Sequence, residues 1–123
     1  MTHTRTLGIL LVTMTVTGCV SNPSIDSLSS AQRARYSQME IINGSTSRPH
    51  NVVGSVKGIS CHRNAYQSRV LTSDEAMEGV KLQAAQLDAD AVINVACQKK
   101  SEIDWGNNCW ASIVCVGDAV KFK

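Results

Sequence analysis

Four cysteines constrain what this chain can fold into more than any other feature: Cys61, Cys97, Cys109 and Cys115. They fall in a stretch of about 85 residues, too small for a hydrophobic core to be comfortably self-sufficient. An even cysteine set in a small exported domain reads as two disulfides. Four cysteines allow three pairings, and spacing alone does not choose among them. Zinc is the competing use. The set contains no C-x-x-C and no close His pair, and its members stand 36, 12 and 6 positions apart. That is poor spacing for a tetrahedral site, and His62 beside Cys61 reads as a loop histidine. The missing C-x-x-C also argues against a thiol redox enzyme.

A fifth cysteine, Cys19, closes the N-terminal segment and supplies the case for export. Leu7 to Val16 is a short apolar run behind a start that carries His3 and Arg5. This is the plan of a secretory signal. Ten residues fall well short of the roughly 20 needed to span a bilayer. Val16-Thr17-Gly18-Cys19 resembles the bacterial lipobox, in which a branched residue and two small ones precede the cysteine that receives lipid. The resemblance implies residues 1–18 as a lipoprotein signal peptide and Cys19 as the lipid anchor. One acyl chain holds a protein only marginally, whereas two or more hold it stably. Val20, in place of Asp, points to sorting to the outer membrane of a Gram-negative cell, with the domain facing the periplasm. Residues 19–36, rich in Ser and Asn, read as anchor and flexible tether, and residues 37–123 as the folded domain.

Within the domain, the firmest element is a helix. Thr72-Ser73-Asp74-Glu75 has the form of a capping box. Met77, Val80, Ala84 and Leu87 follow at helical spacing as a core stripe, with Gly79 allowing close approach to a sheet. A short helix over Ser29–Met39 competes with a first strand over Tyr36–Ile42. Asn51–Gly58 reads as a second strand, Ile59–Leu71 as an irregular loop, and Ala91–Cys97 and Cys109–Gly117 as further strands. Gly117-Asp118 separates the last of these from a possible terminal strand over Ala119–Lys123. The order β-β-α-β-β gives an α+β domain, one helix on a mainly antiparallel sheet of four to five strands.

Composition excludes several function classes. Net charge is +2 with 18% charged residues, which offers no basic footprint for nucleic acid. At 43% hydrophobic residues the chain is not of disordered type. Ser60, His62 and Asp104 could be assembled on paper into a hydrolase triad, but no nucleophile-elbow motif supports them. No Gly-rich phosphate loop and no H-E-x-x-H occurs. The expectation is a non-enzymatic protein without cofactor or small-molecule substrate.

Three segments share a pattern. Val53-Gly54-Ser55-Val56-Lys57-Gly58-Ile59-Ser60-Cys61 is similar to a Gly-x-Val-x-Gly-x-Ser-Cys segment. Ala85 through Asp90-Ala91-Val92 to Cys97 resembles a helix end followed by a strand that closes on Cys. Cys109-Trp110-Ala111-Ser112-Ile113-Val114-Cys115-Val116-Gly117 resembles Cys-aromatic-x-x-x-Val-Cys-x-Gly. With the lipobox, these resemble the RcsF family of outer-membrane lipoproteins, sensors of the Rcs envelope-stress phosphorelay. The likeness covers residues 38–123 and the anchor. It implies interleaved disulfides, Cys61–Cys109 and Cys97–Cys115. It also implies contact with an inner-membrane regulator of the phosphorelay and with outer-membrane β-barrel proteins. The alternative is a structural or binding lipoprotein of the envelope with this fold and no signalling role. The family's long Pro- and Lys-rich arm between anchor and domain is replaced here by a short one.

Overall fold

The computed structural model describes residues 21–123. The expected signal peptide over residues 1–18 and the expected anchor Cys19 therefore lie outside the described residues. A single 3-10 turn over Ile25–Ser27 leads into helix α1 (Ser30–Gln38). Strand β1 (Glu40–Ile41), strand β2 (His50–His62), helix α2 (Ser73–Gln86), strand β3 (Ala91–Lys100) and strand β4 (Ala111–Phe122) follow. The sheet order is β1-β3-β4-β2, with β1 parallel to β3 and the other pairings antiparallel. The class is α+β, with two helices and a four-stranded mixed sheet.

Helix α2 lies across β2 and β4. Ala76, Val80, Ala84 and Ala85 on its inner side meet Val56, Val92, Ile113, Cys115 and Ala119 of the sheet in one buried cluster. The stripe differs from the one that spacing predicts. Leu87 is 42% exposed and Met77 only partly buried, while Ala76, Gly79 and Leu82 are buried. The reason is close approach: a Cβ on Gly58 would meet the Ala76 carbonyl oxygen at 1.7 Å, so small residues take the contact line. The helix ends in a Schellman arrangement. The Ala89 amide donates to the Ala84 carbonyl and the Asp88 amide to that of Ala85, with Asp88 at φ 56° in the left-handed region.

At its start, Thr72 Oγ1 accepts from the Glu75 amide, but Glu75 does not complete the capping box. Its carboxylate accepts from Ser60 Oγ instead, and Ser60 Oγ accepts from the Thr72 amide at 3.2 Å. The Ser60 hydroxyl is thus inserted between the two halves of the box. This ties the helix start to β2.

Four sequence expectations are corrected. Residues 21–36 are not a flexible tether: Leu28 is 4% exposed within the core, and α1 packs beside α2. Ser29 caps α1 through a reciprocal pair with Gln32, which displaces the strand expected over Tyr36–Ile42 and leaves only Glu40–Ile41 extended. Strand β2 runs four residues past Gly58 to His62, so Cys61 belongs to a strand and not to an irregular loop. Gly117-Asp118 does not break β4. Gly117 stays in the ladder opposite Val56, where a Cβ would meet Val92 Cγ1 at 2.5 Å. The chain irregularities sit elsewhere, between Val52 and Gly54 in β2 and between Ile93 and Ala96 in β3. At the second of these Asn94, at φ 54°, turns its amide to the Gly44 carbonyl.

Candidate functional site

Both disulfides form, and they interleave. Cys97 and Cys115 face each other across β3 and β4 with Cα atoms 4.0 Å apart, and Cys61 on β2 joins Cys109 with Cα atoms 5.6 Å apart. These are the pairs that the resemblance implies. The second clips the 101–110 loop to the end of β2, where Ile59, Cys61 and Cys109 form a small cluster of their own. With four thiols committed to sulfur–sulfur bonds, none is available as a thiolate ligand.

The paper triad does not assemble. Ser60 is fully buried against Glu75, His62 Nε2 donates to the Arg69 carbonyl, and Asp104 turns to Ser112. Ser60 stands opposite Ile113 and faces α2, whereas Ser112, one residue on, faces the other side of the sheet.

Strands β2, β3 and β4 end together: His62 pairs with Ala111, and Lys100 with Ser112. The loops 63–72 and 101–110 therefore leave from one end of the sheet. The second loop is built on Asp104, 2% exposed, which accepts from Ser112 Oγ at 2.7 Å and Asn107 Nδ2 at 2.8 Å, with Lys100 Nζ at 3.6 Å. The two side-chain hydrogen bonds, from Asn107 first and Ser112 second, pull the Asp104 carboxyl down to about 2. Folding so rigid a loop places apolar side chains outside it. Trp105 is 82% exposed and Trp110 50%, and with Ile103 and Arg63 they line a cavity of about 120 Å³ beside the Cys61–Cys109 bridge. On the neighbouring loop Tyr66 and Val70 stand almost free of the protein. Exposed large apolar side chains gathered in one place mark an interaction surface.

Sequence reading did not single these residues out. The one available signal is the pair of tryptophans, the only two in the chain, flanking the polar turn Gly106-Asn107-Asn108.

Sequence reading also passed over Asn22. Its side-chain amide accepts from the Ile59 amide at 2.8 Å and donates to the Ile59 carbonyl at 2.7 Å, pairing with the free edge of β2 as a strand would. Gln83 Oε1 accepts from the Lys57 amide on the same edge, so the edge is covered by side chains. Gly79 makes the room, since a Cβ there would meet Asn22 Oδ1 at 2.1 Å.

A pH response follows from Asp104. Its folded value lies below that of an unfolded Asp, about 3.9, so its contribution is complete above that pH and is lost as pH falls toward 2. Emission from Trp105 and Trp110 should therefore report loosening of the loop across that acid range. Asp104→Asn should cost about 1–3 kcal/mol at neutral pH and remove this acid limb. Identical acid limbs in the two proteins would show that Asp104 does not hold the loop.

No protein-family model matches the chain, and no curated protein sequence does. A solved structure is similar in fold: a protein of unknown function of the DUF74 family from Pediococcus pentosaceus ATCC 25745, at 16% identity and a TM-score of 0.51. The likeness covers 69% of this chain and 98% of that one. It supports the α+β architecture.

Proposed function

We propose that this protein is a lipoprotein of the outer membrane, anchored through Cys19, that senses envelope stress and relays it by protein contact to an inner-membrane regulator of a phosphorelay. The observation that carries the reading is the interleaved pair of disulfides, Cys61–Cys109 and Cys97–Cys115, joined to the lipobox-like Val16-Thr17-Gly18-Cys19. In this reading the protein acts by contact, not by catalysis. It needs no cofactor beyond the covalent lipid on Cys19, and binds neither nucleic acid nor a small-molecule substrate.

The docked N-terminal segment limits reach. Asn22 is held on β2, so only Val20 and Ser21 separate it from the anchor. A gyration radius near 13 Å for about 100 residues gives a domain roughly 30 Å across. Its far side then stands about 40 Å from the lipid, with about 10 Å from three extended residues. Outer-membrane β-barrel proteins lie within that distance. An inner-membrane regulator must extend far into the periplasm to be touched. The same short arm favours a second reading, a structural or binding lipoprotein of the envelope with no signalling role.

Two measurements test the proposal. Cys19→Ala should move the protein from a carbonate-resistant membrane fraction to the soluble fraction, and a variant that stays in washed membranes refutes the anchor. Overexpression of the lipidated protein should raise the output of a phosphorelay reporter. A flat reporter with an intact anchor selects the second reading.

A further inference from the structure

The chain approaches the folded domain at the end that carries its exposed aromatic side chains. Ser21 borders the same surface hollow as Cys61, Arg63, Gln67 and Arg69. Cys19 precedes Ser21 by two residues, so its Cα lies within about 7 Å of that of Ser21. Among the described residues this end of the sheet carries all the exposed Trp and Tyr rings of the two loops, Trp105, Trp110 and Tyr66, with Ile103 and Val70 beside them, whereas the other end exposes the smaller Val52 and Val53. Resting on the reading of Cys19 as the lipid-bearing residue, we infer that this end of the domain lies against the lipid surface that holds the anchor, with Trp105, Trp110 and Tyr66 at the headgroup level.

The chemistry of the surface fits that occupant. Trp and Tyr rings concentrate at membrane–water interfaces, where an apolar body and a polar edge are both satisfied. Segment 62–72 contributes Arg63 and Arg69 and no acidic residue of its own, with Arg69 also paired to Glu75 at the start of α2 at 2.8 Å. Lys99 and Lys100 stand exposed at the head of the other loop, and of its two acidic residues Asp104 is buried and already held by Ser112, Asn107 and Lys100. Basic side chains near an anionic lipid surface are drawn to it by its negative potential, each one weakly. Linkage makes such weak contacts sufficient, because an arm of two residues holds the patch at high effective concentration over the bilayer. The opposite end of the sheet, where Arg48 stacks on Phe122 and pairs with Glu40, would then be presented to the periplasm.

The two tryptophans are native probes. The full-length lipidated protein would be incorporated into vesicles of phosphatidylethanolamine and phosphatidylglycerol with dibrominated acyl chains, which quench indole emission on contact. The expected result is flotation with the vesicles together with a blue shift and loss of most tryptophan emission relative to unbrominated vesicles. Trp105→Phe, leaving Trp110 alone, should still be quenched. Flotation with unquenched emission overturns the orientation and leaves the anchor intact. Failure to float overturns the anchor reading and the orientation with it. In cells, a photocrosslinking residue at position 105 should yield lipid adducts, and a discrete protein adduct instead overturns the proposal by assigning the patch to a protein partner.

Discussion

Removing the Cys61–Cys109 bridge should cost this domain most of its stability. The bridge closes a loop of 48 positions, and in the chain-entropy view that constrains the unfolded chain by about 4 kcal/mol. The Cys97–Cys115 bridge, separated by 18 positions, contributes about 3 kcal/mol by the same reasoning. Small domains hold only about 5–15 kcal/mol in total, and one of this size lies toward the lower bound. The native-state role of Cys61–Cys109 adds to the entropy. Both sulfurs are buried, and their bond carries the 101–110 loop and its tryptophans. The double variant Cys61→Ser/Cys109→Ser should therefore lower the urea midpoint by about 2 M, given a slope of about 1–3 kcal/mol per molar. Cys97→Ser/Cys115→Ser should lower it less and leave the tryptophan environment nearer to the native one, because Cys97 and Cys115 bridge two strands that are already paired over their length. Full reduction should unfold the domain at 37 °C. Midpoints unchanged on reduction would show that neither bridge holds the fold.

The parts of this structure that were legible in the sequence are those with local or periodic signals. Thr72 caps a helix because its hydroxyl reaches an amide three residues on, and that is visible in four letters. Strands β3 and β4 show as apolar runs, and Gly79 shows as a place where something must come close. What was not legible depends on pairs distant in sequence. Asn22 looks like a tether residue until Ile59, 37 positions away, offers it an amide and a carbonyl. Helix α1 has no buried residue of its own. It is held by Gln32 donating to the Gln86 carbonyl, by Arg35 paired to Asp90 at 2.7 Å, and by Tyr36 donating to Glu78, and no periodicity encodes such bonds. The exposed aromatic end escaped notice for a different reason. A polar turn in the sequence does not say which way its flanking rings point, and only the fold shows that the turn around Asp104 leaves Trp105 and Trp110 facing outward. Cys19 is fully a sequence inference, since the described residues begin after it.

Gly58→Ala is the single substitution expected to damage the fold most. The added Cβ would stand 1.7 Å from the Ala76 carbonyl oxygen and 2.6 Å from the Val80 amide nitrogen, both backbone atoms of α2. No rotamer change relieves a clash with backbone, so the helix must lift from β2. That opens the cluster of Val56, Ala76, Val80 and Ala84 beneath it. Overpacking against movable side chains costs about 1–3 kcal/mol, and this case should reach or exceed the upper figure. Gly79→Ala is the instructive contrast. Its Cβ would meet the Asn22 amide at 2.1 Å, a side chain that can leave, and the Gly58 Cα at 2.9 Å, a backbone contact much milder than the 1.7 Å clash at Gly58, while Ala is favoured over Gly inside a helix by about 1 kcal/mol. Gly79→Ala should therefore destabilise far less than Gly58→Ala, while freeing Asn22 from the edge of β2. The released segment then lengthens the arm between Cys19 and the first core residue, Leu28. Thermal denaturation checks the ranking. Coupling between Asn22→Ala and Gly79→Ala in a double-mutant cycle checks the cause, since Gly79→Ala should cost less once the Asn22 amide is gone. Equal losses from the two glycine variants, or strict additivity in the cycle, would show that the slot between α2 and β2 is not what fixes the N-terminal segment.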